Sequence, residues 1–136
     1  MEYSLLQRAP EKNGILETCR ETGITLIAYT PLKMGALTGK YTGEKRPEGM
    51  RKFMRPFHRR NYPRLLKLVG LLEEIGRGYS KSPGQVALRW LIQQGPVLPI
   101  PGAKNSKQAI HNAGALTFSL SDSEMAALRK ASDNLK

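Results

Sequence analysis

Two short stretches carry residue types that could hold a phosphate-bearing ligand. The first runs Pro99-Ile100-Pro101-Gly102-Ala103-Lys104 and continues through Lys107 and Gln108 to Asn112. It reads as a buried strand, a Pro-Gly turn and a basic segment that opens a helix. Free backbone N–H groups and the positive end of the helix dipole suit an anion there. Gly102 lets the backbone approach a ligand closely, and Lys104 and Lys107 add charge. On spacing alone an ordinary strand-to-helix turn with two solvated lysines is the favoured reading, and only a second ligand-type loop brings the two readings level. The second stretch is Tyr29-Thr30-Pro31-Leu32-Lys33-Met34-Gly35, followed by Ala36-Leu37-Thr38-Gly39-Lys40-Tyr41. Pro31 and Gly35 make it a loop at the carboxyl end of an apolar strand, the end where ligands sit in α/β proteins.

Other chemistry is poorly supplied. The two histidines, His58 and His111, have no neighbours at metal-ligand spacing. No nucleophile elbow, paired carboxylates or Walker loop is present. Cys19 stands alone, which excludes an internal disulfide framework and suits a packed core thiol in a reducing compartment.

The elements that must position the two loops follow from periodicity. Residues 2–6 and 24–29 read as strands, with a helix between them from Pro10 to about Thr22, closed by Gly23. The near-continuous apolar run of residues 24–29 suits a parallel strand buried on both faces. Residues 42–63 show no period and crowd prolines, glycines and charges together, as in a functional excursion. Basic residues interleave there with Phe53, Phe57 and Tyr62, a pattern that could also stack on nucleic acid, although contact with one nucleotide phosphate is the preferred reading. Residues 64–75 form a helix with Leu65, Leu68, Leu72 and Ile75 inward, closed by Gly76 and Gly78. Ser82-Pro83-Gly84-Gln85 is a capping box opening a helix that stops at Gly95. A strand at 97–100, a basic helix, and a last helix capped by Ser121 and Glu124 complete the chain. Strands alternating with helices imply right-handed crossovers and a parallel sheet. Three strands leave two open edges, so the expected architecture is incomplete.

Composition narrows the partners. The 136 residues hold 22 Lys and Arg against 11 Asp and Glu, a net charge of +11 that favours anionic ligands. No apolar run approaches the roughly 20 residues needed to span a bilayer, so no membrane partner is expected. The first residues have neither a signal-peptide nor a transit-peptide composition. A cytoplasmic protein is the expectation, with a plastid location as the alternative if a transit segment lies upstream.

Together the motifs resemble the C-terminal part of the aldo-keto reductases, nicotinamide-dependent (β/α)8 TIM barrels. Glu2-Tyr3-Ser4-Leu5-Leu6-Gln7-Arg8 resembles the sixth strand, Ala28 to Tyr41 the seventh strand and its loop, and Pro99 to Asn112 the eighth strand and its helix. The wording Ile-Pro-Gly-Ala-Lys-Asn is nearest to plant and bacterial members. The resemblance implies that residues 1–136 are a C-terminal portion of such an α/β barrel, with about three parallel strands and flanking helices.

It also implies an NADP(H) site. Tyr29 would stack on the nicotinamide, while Thr30, Pro31 and Leu32 would line the pyrophosphate path and Lys40 would neutralise its charge. Gly102 and Lys104 would meet the 2′-phosphate, and Gln108 and Asn112 the adenosine. His111 stands where many relatives have Glu. The basic loop would be a flap, with Arg51 and Arg55 as candidate contacts. The family's catalytic Asp, Tyr, Lys and His lie in the N-terminal half of the barrel, and Tyr3, Tyr41 and Tyr79 lack the strand context of the catalytic tyrosine. The expectation is hydride transfer between NADPH and an aldehyde or ketone only when that half is present. A non-catalytic NADP(H)-binding or regulatory module is the alternative, and a basic nucleic-acid-binding protein ranks last.

Overall fold

A computed structural model describes residues 1–135. Two short parallel strands lie at its centre, β1 (Leu26–Ala28) and β2 (Val97–Pro99). Their register pairs Leu26 with Val97, Ile27 with Leu98 and Ala28 with Pro99. Helices α1 (Ala9–Lys12) and α2 (Ile15–Thr22) precede β1, whereas α3 (Tyr62–Tyr79) and α4 (Pro83–Ile92) lie between the strands. Helices α5 (Ser106–Ala113) and α6 (Asp122–Asp133) follow β2. This is a partial α/β barrel, as the pattern of strands and helices predicts.

Several elements depart from that pattern for physical reasons. Residues 2–6 form no strand but a single parallel bridge, Glu2 to Tyr29. The chain reverses at once, because Ser4 and Gln7 exchange backbone hydrogen bonds of 3.0 and 3.1 Å. The predicted first helix is two helices, separated at Gly14 in the left-handed region (φ 81°). Helix α3 does not stop at Gly76 but runs to Tyr79 and ends on left-handed Ser80. Gly76 serves packing instead: a Cβ there would lie 2.3 Å from the Lys81 carbonyl oxygen. Residues 42–61 are irregular as expected, with short 3₁₀ turns at Gly49–Phe53 and Arg55–Phe57.

The core lies between the sheet and the helices. Leu26, Ala28 and Val97 pack there with Leu16, Cys19, Leu68, Leu72, Val86, Trp90 and Leu128. Buried Cys19 is the packed thiol its spacing implied. The opposite sheet face is open, contrary to the expectation that both faces of residues 24–29 are buried. Ile27 is 52% and Leu98 53% exposed, and Tyr29 and Ile100 continue that face. Both predicted capping boxes form, Ser82 with Gln85 and Ser121 with Glu124. Among the described residues no helix is long and apolar enough to cross a membrane.

Candidate functional site

The parallel register brings the two loops out of the sheet side by side. Ile100 N–H donates to the Ala28 carbonyl (2.9 Å), so Tyr29 and Pro101 begin their loops from adjacent positions at one end of the sheet.

The first loop is tightly folded. Three non-glycine residues, Thr30 (φ 49°), Lys33 (φ 47°) and Met34 (φ 52°), occupy the left-handed region, and Gly35 (φ 93°) follows. Each such residue costs about 1–3 kcal/mol, and such strain persists only where surrounding bonds over-determine it. Here Lys33 N–H donates to Thr30 O (2.9 Å) and Gly35 N–H to Leu32 O (3.0 Å). Glu2 holds the loop from outside, accepting from Thr30 Oγ1 (3.1 Å) and pairing with Lys33. The hydrogen bond from Lys33 outweighs burial and keeps the Glu2 carboxyl below its ordinary range. Pro31 is buried, and Leu32 is half-buried against Gly84. Tyr29 stays half exposed. Lys40 folds back across the loop, its Cε only 2.6 Å from where a Cβ on Gly35 would lie. Its ammonium stands 4.8 Å from the centre of the Tyr41 ring.

The second loop is built around the start of α5. Asn105, which sequence reasoning left without a role, is the N-cap and accepts from Gln108 N–H (2.9 Å). Gln108 Oε1 in turn accepts from Lys104 N–H (2.8 Å), and Asn112 Nδ2 reaches the Gly102 carbonyl (3.5 Å). Gln108 and Asn112 therefore shape the loop whether or not they also touch a ligand. The first-turn N–H groups of Ser106 and Lys107 have no helical acceptor and are left for solvent or an anion. Gly102 takes no left-handed angle, and a Cβ on it would meet nothing within 4 Å. Its backbone faces open space that a ligand could fill, and Lys104 and Lys107 flank it, exposed. This open, cationic loop beside the strained first loop could take an anion. His111 is exposed on α5, and its carbonyl accepts from Gln85 Nε2 (2.7 Å).

Acid–base machinery is a separate matter. Tyr3 is buried, its hydroxyl donates to Glu11 (2.8 Å), and burial drives its pKa far above the ordinary phenol value. Tyr41 packs edge-on against Phe57 (5.0 Å). Tyr79 donates to Glu124 (2.7 Å), and that bond raises its pKa. Tyr3 and Tyr79 are thus committed to carboxylate partners, and Tyr41 is buried. His58 is bound through Nε2 to the Phe53 carbonyl (2.7 Å). Among the described residues no three His, Cys, Asp or Glu side chains gather as a metal site. Sequence reasoning also missed the group in which Glu11 pairs with Arg8 and Arg129 while Arg8 reaches Asp133 (2.7 Å). Arg129 lies 118 residues from Glu11 and Asp133 lies 125 from Arg8, separations that no local pattern reveals.

Comparison with known proteins finds similarity of the chain to one family. A sequence model described as the aldo/keto reductase family matches residues 1–133. An aldo-keto reductase of Schizosaccharomyces pombe, yakc, whose name specifies NADP(+), is 40% identical over 97% of this chain and 39% of its own length. The NADH-specific methylglyoxal reductase of Escherichia coli is 34% identical over 99% of this chain and 41% of its own. A glycerol dehydrogenase structure from Gluconobacter oxydans superposes with a TM-score of 0.86 at 27% identity, covering 96% of this chain and 40% of that one. The chain thus spans about two fifths of the length of these relatives.

Proposed function

The chain belongs to the aldo/keto reductase family, and from that premise we propose that it supplies the NADP(H)-holding part of a carbonyl-reducing barrel. The observation that carries this reading is the pair of adjacent loops, one strained and crossed by Lys40, the other open and flanked by lysines. In it Tyr29 presents its ring to the nicotinamide, and the backbone of Thr30, Pro31 and Leu32 follows the pyrophosphate under Lys40. Gly102 and Lys104 take the 2′-phosphate, and Gln108 and Asn112 the adenosine. When bound, the cofactor supplies the hydride. The residues that hold and move the proton belong to the remainder of the barrel. On this reading the 136-residue chain binds cofactor and does not by itself oxidise NADPH in the presence of an aldehyde.

Cofactor choice is the sharpest part of the reading, since one relative's name specifies NADP(+) and another's NADH. Lys104 is the residue that distinguishes them. In a fluorescence titration the chain is expected to bind NADPH at least about tenfold more tightly than NADH, the lower range for a charged contact to one phosphate. Lys104→Ala should erase that margin and leave NADH affinity nearly unchanged. Equal affinities in the unaltered chain would remove the phosphate assignment.

A further inference from the structure

The molecule's charge is concentrated far beyond what a single dinucleotide requires. Residues 45–67 hold nine Lys and Arg against Glu48 alone, so this segment carries +8 of the net +11. All nine cations are exposed, and none forms an ion pair among the described residues. A dinucleotide has a pyrophosphate and at most one further phosphate, and Lys40, Lys104 and Lys107 already surround the two loops.

Apolar side chains stand within this field. Met50 is 83% and Phe53 64% exposed, and both lie on the 3₁₀ turn Gly49–Phe53. Residues three apart on a 3₁₀ turn eclipse one another, so Met50 and Phe53 project from one face. The platform beneath them is fixed. Phe57 packs against Tyr41 (5.0 Å) and Tyr62 (6.2 Å), and buried Asn61 donates to the Arg55 carbonyl (3.0 Å). The His58 bond to the Phe53 carbonyl ties the segment that continues into Arg59 to the same turn, and Lys52 lies 5.0 Å from the Phe53 ring centre.

We propose that this turn is a docking surface for an anionic lipid bilayer, with Met50 and Phe53 entering the interface and the surrounding cations meeting headgroup phosphates. Basic charge flanking exposed apolar side chains is the combination that binds such surfaces without spanning them. Single-stranded nucleic acid fits less well, because stacking needs free aromatic faces. Of the three aromatics in the segment, Phe57 and Tyr62 are buried in the platform.

The test is co-sedimentation of the 136-residue chain with vesicles of phosphatidylcholine, with and without phosphatidylglycerol. Binding is expected only to the anionic vesicles and should weaken steeply as salt rises above about 0.1 M. Replacing two cations beside the turn, Lys52→Gln with Arg59→Gln, should lower partitioning about thirtyfold. Phe53→Ser should lower it about tenfold without altering the salt dependence. All three side chains are exposed, so circular dichroism of the variants should match the parent chain. Equal binding to neutral vesicles, variants that bind like the parent, or tighter binding to random duplex DNA than to the anionic vesicles would overturn the proposal. Abolition of vesicle binding by saturating NADPH would also overturn it, and would assign the charge to the cofactor.

Discussion

Glu2 shows how one carboxylate can hold a loop in an unfavourable shape. It accepts from Thr30 and pairs with Lys33, two of the three left-handed non-glycine residues that bring the chain around Tyr29. Its pKa is lowered in the folded state, so the stability it contributes is present above the ordinary 4.5 and fades as pH falls through the lower folded value. Glu2→Gln should therefore destabilise the chain at neutral pH, by up to about 1 kcal/mol for a partly exposed pair. The gap between the two proteins should close below pH 4.5, as followed by thermal melts across pH. Residue types at this site were legible because Pro31, Gly35, Gly102 and the lysines announce loops and charge. Glu2 was not, because its partners lie about thirty residues away and a single acid near a chain start has no local signature.

Helices and turns were legible where their causes are local. Both capping boxes read directly from Ser-x-x-Gln and Ser-x-x-Glu, and Gly23 ends α2 in the left-handed region (φ 69°) as its type implies. Helix α3 was misjudged because Gly76 and Gly78 look like stop signals. One is instead a contact point, the other an ordinary interior position. The difference is measurable. A Cβ on Gly76 would strike the Lys81 carbonyl, whereas one on Gly78 would meet nothing within 4 Å. Gly76→Ala should cost about 2–3 kcal/mol through overpacking. Gly78→Ala should stabilise by about 0.4–1 kcal/mol by restricting the unfolded chain. Urea unfolding should show the two midpoints moving in opposite directions at nearly constant slope. The strands at 24–29 and 97–100 were legible and form as β1 and β2, whereas the two-sided burial expected of the first was not. Burial of residues 24–29 on both faces would need further packing on the Ile27 side, and Ile27 remains 52% exposed.

At the scale of the whole molecule, two surfaces oppose each other. The open sheet face of Ile27, Tyr29, Leu98 and Ile100 favours self-association, while a net charge of +11 resists it. Raising salt screens the repulsion and leaves the apolar attraction, so association measured by sedimentation velocity should increase with salt. Ile27→Lys with Leu98→Lys should abolish it. The crowding of charge into residues 45–67 has one more consequence, electrical in kind. A body with +8 on one segment and +3 elsewhere is a dipole as well as a cation. It should settle on a negatively charged chromatography matrix in a preferred orientation, with that segment against the resin. Lys52→Gln with Arg59→Gln and Lys12→Gln with Lys130→Gln leave identical net charge, yet the first pair should elute from cation exchange at clearly lower salt than the second. Elution would then follow where the charge sits rather than how much of it there is.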